Sequence, residues 1–582
     1  MLSNPVKKSI VARTNQPIPD ALSQLNPLLA KIYLSRGIDH PDQLDRSLKK
    51  LPSPWLLLGM TEMVDHLIDA ISNQANIMFV ADFDADGATS CCTGISGLTL
   101  LGAKHVDFIV PNRFEYGYGL TPEIVELASQ KNPDLIITVD NGISSLEGVR
   151  AAKSKGIKVL VTDHHLPGDQ LPEADAIVNP NLPDDPFPCK SLAGVGVIFY
   201  VLLALRSKLR ELQWFEKHNL TEPNLANLLD YVALGTVADV VQLDQINRVL
   251  VHQGILRIRS GKSHPGLNAL ITKSSRKIPA ITATDLAFAV APRLNAAGRM
   301  DDMSLGIRCL LTSDQLLADE MAEQLDDLNK DRRDIESQMG KEAMQLLQEM
   351  KSLDETHLPA GVCLYDKHWH QGVIGILASR IKDRLHRPVI AFAPSHDQEI
   401  KGSARSIAGV HIRDVLSEIA ATQPDVLTKF GGHAMAAGLS LHLSNYPAFA
   451  LAFDEVVTRW LAKIDLTQNV FTDGKLSETD LTINWAETVA ASGPWGQGFP
   501  EPEFDGEFEV LQCRIVGQKH IKLVLREPDG SKVLDAIWFF VEQPETWMGM
   551  RRVRIVYQLD INEYRNQRNL QLIVRYLEKV GM

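Results

Sequence analysis

The sequence predicts an α/β protein: a parallel-sheet domain, a second α/β domain joined to it by a long helix, and a small all-β domain at the C-terminal end. Three observations carry this reading. From Ile77 onward, short apolar runs alternate with helical segments, the pattern of strands linked by right-handed crossovers. From Ser313 to Met350, apolar residues recur at helical spacing with no Gly or Pro before Gly340. Beyond the Gly/Pro-rich stretch GPWGQGFPEPEF at 493–504, short alternating runs succeed one another at the even spacing of a small barrel or sandwich.

A chain of 582 residues is long for one core and fits about three or four domains. Residues 1–50 read as a helical lead-in, and PSPW at 52–55 as a turn before the helix TEMVDHLIDAI. Then comes IMFVADFDADGATS (77–90), a four-residue apolar run ending in Asp82, Asp84 and Asp86 at alternate positions. If the stretch stays extended, alternation points all three the same way, and Gly87 then lets the backbone turn. Carboxylates this close repel one another unless hydrogen bonds or a cation relieve them, so a divalent-metal site competes with a solvated acidic turn.

The next runs, HVDFIV, DLIITVD and KVLVTDHH, continue the sheet. Ligands of parallel sheets bind beyond the carboxyl ends of the strands. There the polar residues fall: Pro111 and Arg113 after the second run; Asp140, Asn141 and Gly142 after the third; Asp163, His164 and His165 after the fourth. Asp239, in LLDYVALGTVADVV, interrupts an apolar helix-like stretch, where an unpartnered carboxylate would cost several kcal/mol. Arg293, Asn295 and Arg299 surround a small-residue turn in ITATDLAFAVAPRLNAAGRM; arginines there serve as structural ion pairs or as bidentate phosphate ligands.

The helix over 313–350 reads as one element, or two in line, between two domains. Then VCLYDKHWHQGVIGILASRIKDRLHRPVIAFAP gives a strand, a polar loop, a helix and another strand. Its loops carry KGSARS, with Ser403 and Arg405, and GGHAMAAG, with Gly431, Gly432 and His433. Paired glycines ahead of a helix-forming run would let backbone N–H groups reach an anion at a helix start. In the final segment Arg514, Lys519, His520, Lys522, Trp538, Arg565 and Arg568 interleave charge with aromatic rings, which suits single-strand binding, although strand aromatics also fill cores.

Composition narrows the function. With 45% hydrophobic and 23% charged residues, no run of eighteen apolar residues and no apolar region near the start, neither a membrane span nor a secretory signal is expected. Six scattered cysteines without a CxxC support neither a disulfide framework nor a zinc knuckle, so a reducing cytoplasm fits. A net charge of -13 argues against a generic nucleic-acid coat but is compatible with a nuclease whose ligand carboxylates are neutralised by cations. A centre dominated by aspartate oxygens with imidazole is too oxygen-rich for structural zinc and suits Mn²⁺ or Mg²⁺.

With these residues assembled, the chain resembles the DHH phosphoesterase superfamily and, within it, the RecJ-type single-stranded-DNA-specific exonucleases. The motifs stand as Asp82-Phe83-Asp84-Ala85-Asp86-Gly87, Thr138-Val139-Asp140-Asn141-Gly142, Asp163-His164-His165, Val237-Ala238-Asp239 and Gly431-Gly432-His433-Ala434-Met435-Ala436-Ala437-Gly438. They cover about residues 50–575 in the expected order. The resemblance implies a DHH catalytic domain at 51–310, a linker helix at 311–355, a DHH-associated domain at 356–465 and an OB-like barrel at 466–582. It implies two divalent ions held by Asp84, Asp86, Asp140, His164 and Asp239, with Asp140 bridging, Asp82 in or near the outer shell, and His165, in the motif that Asp163 opens, on the scissile phosphate. It further implies a terminal-phosphate pocket of Arg113, an arginine of the RLNAAGR stretch, Ser403 and Arg405, with DNA passing Gly432 and His433 between the α/β domains and cut 5' to 3'. A single-strand-binding protein and a helicase are the implied partners, and a monomer is expected. Rival readings are a small-substrate member of the superfamily, which would not need the barrel, and a non-catalytic replication scaffold, which would lose ligand positions that are all present here.

Overall fold

The structure, a computed structural model, describes residues 8–14, 16–112, 116–353, 358–464, 468–528, 530–564 and 567–580. One compact unit is built from Ile10–Asp326 and Val470–Met582, the other chiefly from Asp327–Asn469. In the first, five parallel strands, β1 (Ile77–Ala81), β2 (Val106–Ile109), β3 (Leu135–Val139), β4 (Lys158–Thr162) and β5 (Ala176–Val178), lie in the order β2-β1-β3-β4-β5. β1 and β3 are buried along their whole length, which is why they read as continuous apolar runs instead of alternating ones.

Strand register sets which side chains meet at the sheet's carboxyl edge. Ala81 lies opposite Val139, and Val139 opposite Thr162, so the next residues, Asp82, Asp140 and Asp163, leave the sheet side by side. Their amides extend the ladder by one step, to the carbonyls of Val139, Thr162 and Val178. Behind this edge, α1 (Ala85–Leu101) packs against α2 (Gly194–Glu211) and α3 (Leu229–Ala238), and also against α4 (Ala291–Met300). The lead-in to residue 50 holds a strand at Lys8–Ala12, three-ten turns and one α-helix, Pro27–Leu34. Pro17, Pro19 and Pro41 confine regular helix to that stretch.

The periodic segment forms one unbroken helix, α5 (Gln315–Leu353). The second unit contains a mixed sheet of β6 (Val362–Tyr365), β7 (Val389–Pro394), β8 (Glu399–Arg405), β9 (Lys429–Gly432) and β10 (Ala436–His442), in the order β9-β10-β8-β7-β6. The parallel pair β6–β7 is joined through α6 (Ile374–Leu385), and the other pairings are antiparallel. Phe392, Ile390, Leu416, Phe449 and Phe453 fill its core.

The first unit also holds β11 (Phe504–Val516), β12 (His520–Arg526), β13 (Val533–Trp538), β14 (Arg552–Tyr564) and β15 (Gln567–Lys579). They close a barrel in the order β11-β12-β13-β15-β14, with Phe504, Phe508, Leu523 and Tyr557 inside. Closure removes exposed sheet edges. The lead-in anchors the chain entering this barrel: buried Arg36 pairs with Asp473 at 2.7 Å and donates to the Pro500 carbonyl, while Arg248 lies 4.4 Å over the Phe499 ring.

Candidate metal centre

The chain past β1 does not stay extended, so alternation is not what aims the three aspartates. Helix α1 starts at Ala85, and Asp84 caps it: its Oδ1 accepts from the amides of Asp86 (2.9 Å) and Gly87 (3.0 Å). An aspartate ahead of a helical run satisfies orphan N–H groups, and this gain outweighs strand continuation. Asp86 therefore sits inside the first turn and faces α2, where its two oxygens accept from Gly194 N (2.7 Å) and Val195 N (3.0 Å). Asp239 is the C-terminal cap of α3, which explains a carboxylate at the end of an apolar helix.

Three overlapping groups result, each with ligand atoms within 4.8 Å of one another: Asp82, Asp84 and Asp140; Asp86, His164 and Asp239; and Asp140, His164 and His165. His164 Nε2 stands 3.1 Å from Asp140 Oδ1 and 3.4 Å from Asp239 Oδ2. These contacts are not ion pairs. Burial, with the charge of His165, holds the His164 imidazole down at about 4, so it is neutral at physiological pH. Asp163 and the Leu192 backbone act the other way but more weakly, and Nε2 has no hydrogen-bond partner among the described residues, so the neutral ring can present it as a lone-pair donor.

The acids show the opposite stress. Burial, followed by repulsion from Asp84, pushes Asp86 up to about 7. Burial and neighbouring carboxylates also raise Asp140 and Asp239 well above the ordinary range. Asp163, fully buried, behaves differently. Its Oδ2 accepts from Ile143 N, and its Oδ1 from His164 N, His165 N and His165 Nδ1, at 2.7–3.1 Å. Burial would raise it, but the hydrogen bond and charge of His165 outweigh burial and hold it below its usual value. Reciprocally, burial would lower His165, yet Asp163 lifts it to about 9. Asp163 is thus a support for both histidines.

The residues fit divalent cations. Among the described residues, Asp140 Oδ1 and His164 Nε2, both buried, have no hydrogen-bond partner and converge on the same space. Such atoms are costly unless a ligand completes them. The donor set of oxygen with one imidazole suits Mn²⁺ or Mg²⁺ better than zinc. Sequence reasoning missed the glycines that make room for it. A Cβ on Gly194 would stand 2.7 Å from Asp140 Oδ1, one on Gly235 2.7 Å from Asp86 Oδ1, and one on Gly298 would strike the Phe83 carbonyl. No local pattern marks them, since the need arises from packing between distant segments.

The remaining sequence-derived residues are placed variously. Arg113 lies outside the described residues. Asn295 Oδ1 accepts from Ala85 N at 2.8 Å and so braces the start of α1. Arg293 is buried, pairs with Asp326 at 2.7 Å and donates to the carbonyls of Ala289 and Lys273. Arg299 is half-buried in the last turn of α4.

In the second unit, GGHAMAAG is not a glycine turn ahead of a helix. It forms the β9–β10 hairpin, with Gly431 opposite Gly438 and exposed His433 in the turn, its amide bonded to the Ala436 carbonyl. The alanines are drawn into a strand because β10 pairs along β8, overriding their helical preference. That pairing sets Gly438 opposite Ser403 and Ala436 opposite Arg405. A helix start does meet these residues, but it is that of α6: a Cβ on Gly375 would lie 2.8 Å from Arg405 Nη2 and 3.0 Å from Ser403 Oγ. Arg405 Nη1 donates to Ser403 Oγ at 2.9 Å.

On the barrel, His520 contacts Phe539 and Phe540 edge-on at 5.3 and 4.9 Å, and the Phe540 side chain is largely exposed. Trp538 stands edge-on to Trp547, Lys522 pairs with Asp535, and Arg568 pairs with Glu487 and Glu563. Arg565 lies outside the described residues.

Comparison with known proteins matches three domains in this chain. Residues 76–236 match the N-terminal domain of the DHH family, residues 359–459 the DHHA1 domain, and residues 472–576 the RecJ OB domain. A single-stranded-DNA-specific exonuclease RecJ from Salmonella typhimurium is 51% identical over 95% of this chain and 96% of its own length. Among solved structures, RecJ from Thermus thermophilus in complex with Mn²⁺ is 28% identical with a TM-score of 0.80, covering 99% of this chain and 80% of that one. Its complex with Mg²⁺ gives 27% and 0.74 over 99% and 79%. With these three domains matched in order and half the residues shared over nearly the full length, the chain belongs to the RecJ family of single-stranded-DNA-specific exonucleases.

Proposed function

We propose that this chain is a divalent-metal-dependent exonuclease that hydrolyses single-stranded DNA from the 5' end to 5'-mononucleotides, serving recombination and repair in the cytoplasm. One observation carries the reading: carboxylates and imidazoles from separate loops crowd into one buried centre in which Asp140 Oδ1 and His164 Nε2 have no hydrogen-bond partner among the described residues. Asp84, Asp86, Asp140, His164 and Asp239 would hold two Mn²⁺ or Mg²⁺ ions, Asp140 serving both, with Asp82 beside them. Bound there, the ions would supply a nucleophilic water and neutralise charge on the phosphate.

The chain's own part is positioning and proton supply. His165, lifted to about 9 by Asp163 against the effect of burial, is protonated at neutral pH and offers its second ring nitrogen as a charged donor to the phosphate under attack. In the second unit, the cradle of Ser403, Arg405 and the start of α6 suits a phosphate of the strand, with His433 and the adjoining Gly431 and Gly432 as further backbone contacts. Arg113 and Arg299 are further phosphate ligands on this reading, whereas Arg293 and Asn295 act by bracing the fold. The exposed Phe539–Phe540–His520 group on the barrel suits stacking of unpaired bases. A single-strand-binding protein and a helicase are the proposed partners, on family resemblance alone, and no helix among the described residues is long and apolar enough to cross a membrane.

Digestion of single- and double-stranded DNA labelled at either end, with Mn²⁺, Mg²⁺ or chelator, tests this. Mononucleotides should be released from the 5' end of single strands only when metal is present. Cleavage in chelator, or of a dinucleotide in preference to a long strand, would overturn the proposal.

A further inference from the structure

Asp140 is the most constrained residue of the centre. It is buried, it leaves the sheet with φ +62, and its Oδ1 has no hydrogen-bond partner among the described residues. A non-glycine residue held in the left-handed region costs about 1 kcal/mol or more, so the surroundings must hold its backbone there. On the amide side the hold is the bond from Asp140 N to the Thr162 carbonyl, 3.1 Å. On the carbonyl side it comes from a residue that the proposed mechanism has not used: the Tyr118 hydroxyl donates to the Asp140 carbonyl at 3.1 Å.

The same hydroxyl lies 3.3 Å from His165 Nδ1, whose N–H also faces Asp163 Oδ1 at 2.8 Å. One O–H cannot donate twice. The consistent arrangement has it donating to Asp140 while its oxygen shares the Nδ1–H of His165 with Asp163. The ring adds a second restraint, edge-on to His165 at 5.8 Å and to Phe83 at 6.1 Å. The chain is shaped to deliver it: Gly117 and Gly119, on either side, have φ of +78 and +76, which only glycine adopts at little cost.

We propose that Tyr118 is a positioning residue of the centre, its hydroxyl locking the Asp140 backbone and the His165 imidazole into one geometry. This rests on the metal-dependent hydrolysis proposed above. Tyr118 acts through its neighbours; losing the hydroxyl lets the Asp140 carbonyl swing and frees the His165 ring about its bond to Asp163. Metal affinity and the chemical step should suffer, while capture of the strand should not.

Tyr118→Phe removes one oxygen and keeps the ring, so the fold is retained. Two readouts apply: kcat and KM on single-stranded DNA, and Mn²⁺ affinity by calorimetry without DNA. The expected result is a kcat lower by roughly 10-fold or more with KM within about twofold, and Mn²⁺ binding weakened several-fold, in line with outer-sphere losses of about 10–100-fold. Tyr118→Leu, which also removes the ring, should be worse on both. Wild-type kcat and Mn²⁺ affinity in Tyr118→Phe would overturn the inference. So would a raised KM with kcat intact, which would make Tyr118 a substrate contact. Absence of DNA cleavage by the unsubstituted protein would instead sink the proposed function and leave the Mn²⁺ measurement to judge Tyr118.

Discussion

Stripping divalent ions from the protein should destabilise the DHH domain, and the loss should grow with pH. In the metal-free centre Asp86 is pushed from 3.8 to about 7, first by burial and then by Asp84. Below about pH 4 the carboxyl is protonated whether the chain is folded or not, and folding bears no penalty. Between 4 and 7 the unfolded chain ionises while the folded one does not, so stability falls by about 1.4 kcal/mol per pH unit and levels off above 7 at roughly 4 kcal/mol. Bound cations favour the ionised form and remove this penalty. From pH 5 to pH 8 the stabilisation conferred by Mn²⁺ should therefore grow by about 3 kcal/mol from Asp86 alone, and Asp140 and Asp239, raised by the same causes, shift in the same direction. At roughly 2 °C per kcal/mol for a domain of this size, the Tm gain should increase by about 5 °C or more. The assay is differential scanning calorimetry with Mn²⁺ and with chelator at each pH, taking only the difference between the two. This cancels the histidines that titrate over the same range in both forms. Calorimetric titration at pH 6.5 in buffers of different ionisation enthalpy should also show proton release on Mn²⁺ binding. A Tm gain that is flat or declining from pH 5 to 8, or metal binding without proton release, would refute the reasoning.

Three further outcomes are expected. Asp163→Asn presents an amide to N–H donors that now meet a carboxylate, and should lower kcat by about 100-fold or more; because His165 would fall from about 9 toward 6.5, the residual activity should fade above neutral pH, where the unsubstituted enzyme stays active to about pH 9. Gly194→Ala places a methyl 2.7 Å from Asp140 Oδ1, and calorimetry should register a cost of about 1–3 kcal/mol together with loss of the Mn²⁺-dependent Tm gain. Val240, half-exposed with φ +59, is strained for a β-branched residue, so Val240→Asn should raise stability by about 1 kcal/mol, read as a higher Tm in chelator.

The parallel sheet and the ligands at its edge are legible because two simple rules coincide: buried parallel strands read as continuous apolar runs, and their carboxyl ends carry the polar chemistry. Asp82, Asp140 and Asp163 follow from that alone. The aim of Asp84 and Asp86 does not, because capping α1 replaced the extended chain that alternation assumes. The hairpin at 431–438 was hidden for a similar reason: an alanine-rich run favours helix locally, and only its pairing with β8, some thirty residues away, makes it a strand. Tyr118, Gly194 and Gly375 carry no signal in one sequence, since each matters through atoms contributed by a remote segment.

The four N–H groups gathered on Asp163 have a consequence for anyone dissecting this centre residue by residue. One carboxylate orients the backbone of both histidines and the ring of one, so the two cannot be perturbed independently through it. Effects of His164 and His165 substitutions, measured in an Asp163 variant, should fall far short of the sum of the single losses. The motif is a single mechanical part with two working faces, and it should be inherited, lost or redesigned as a block.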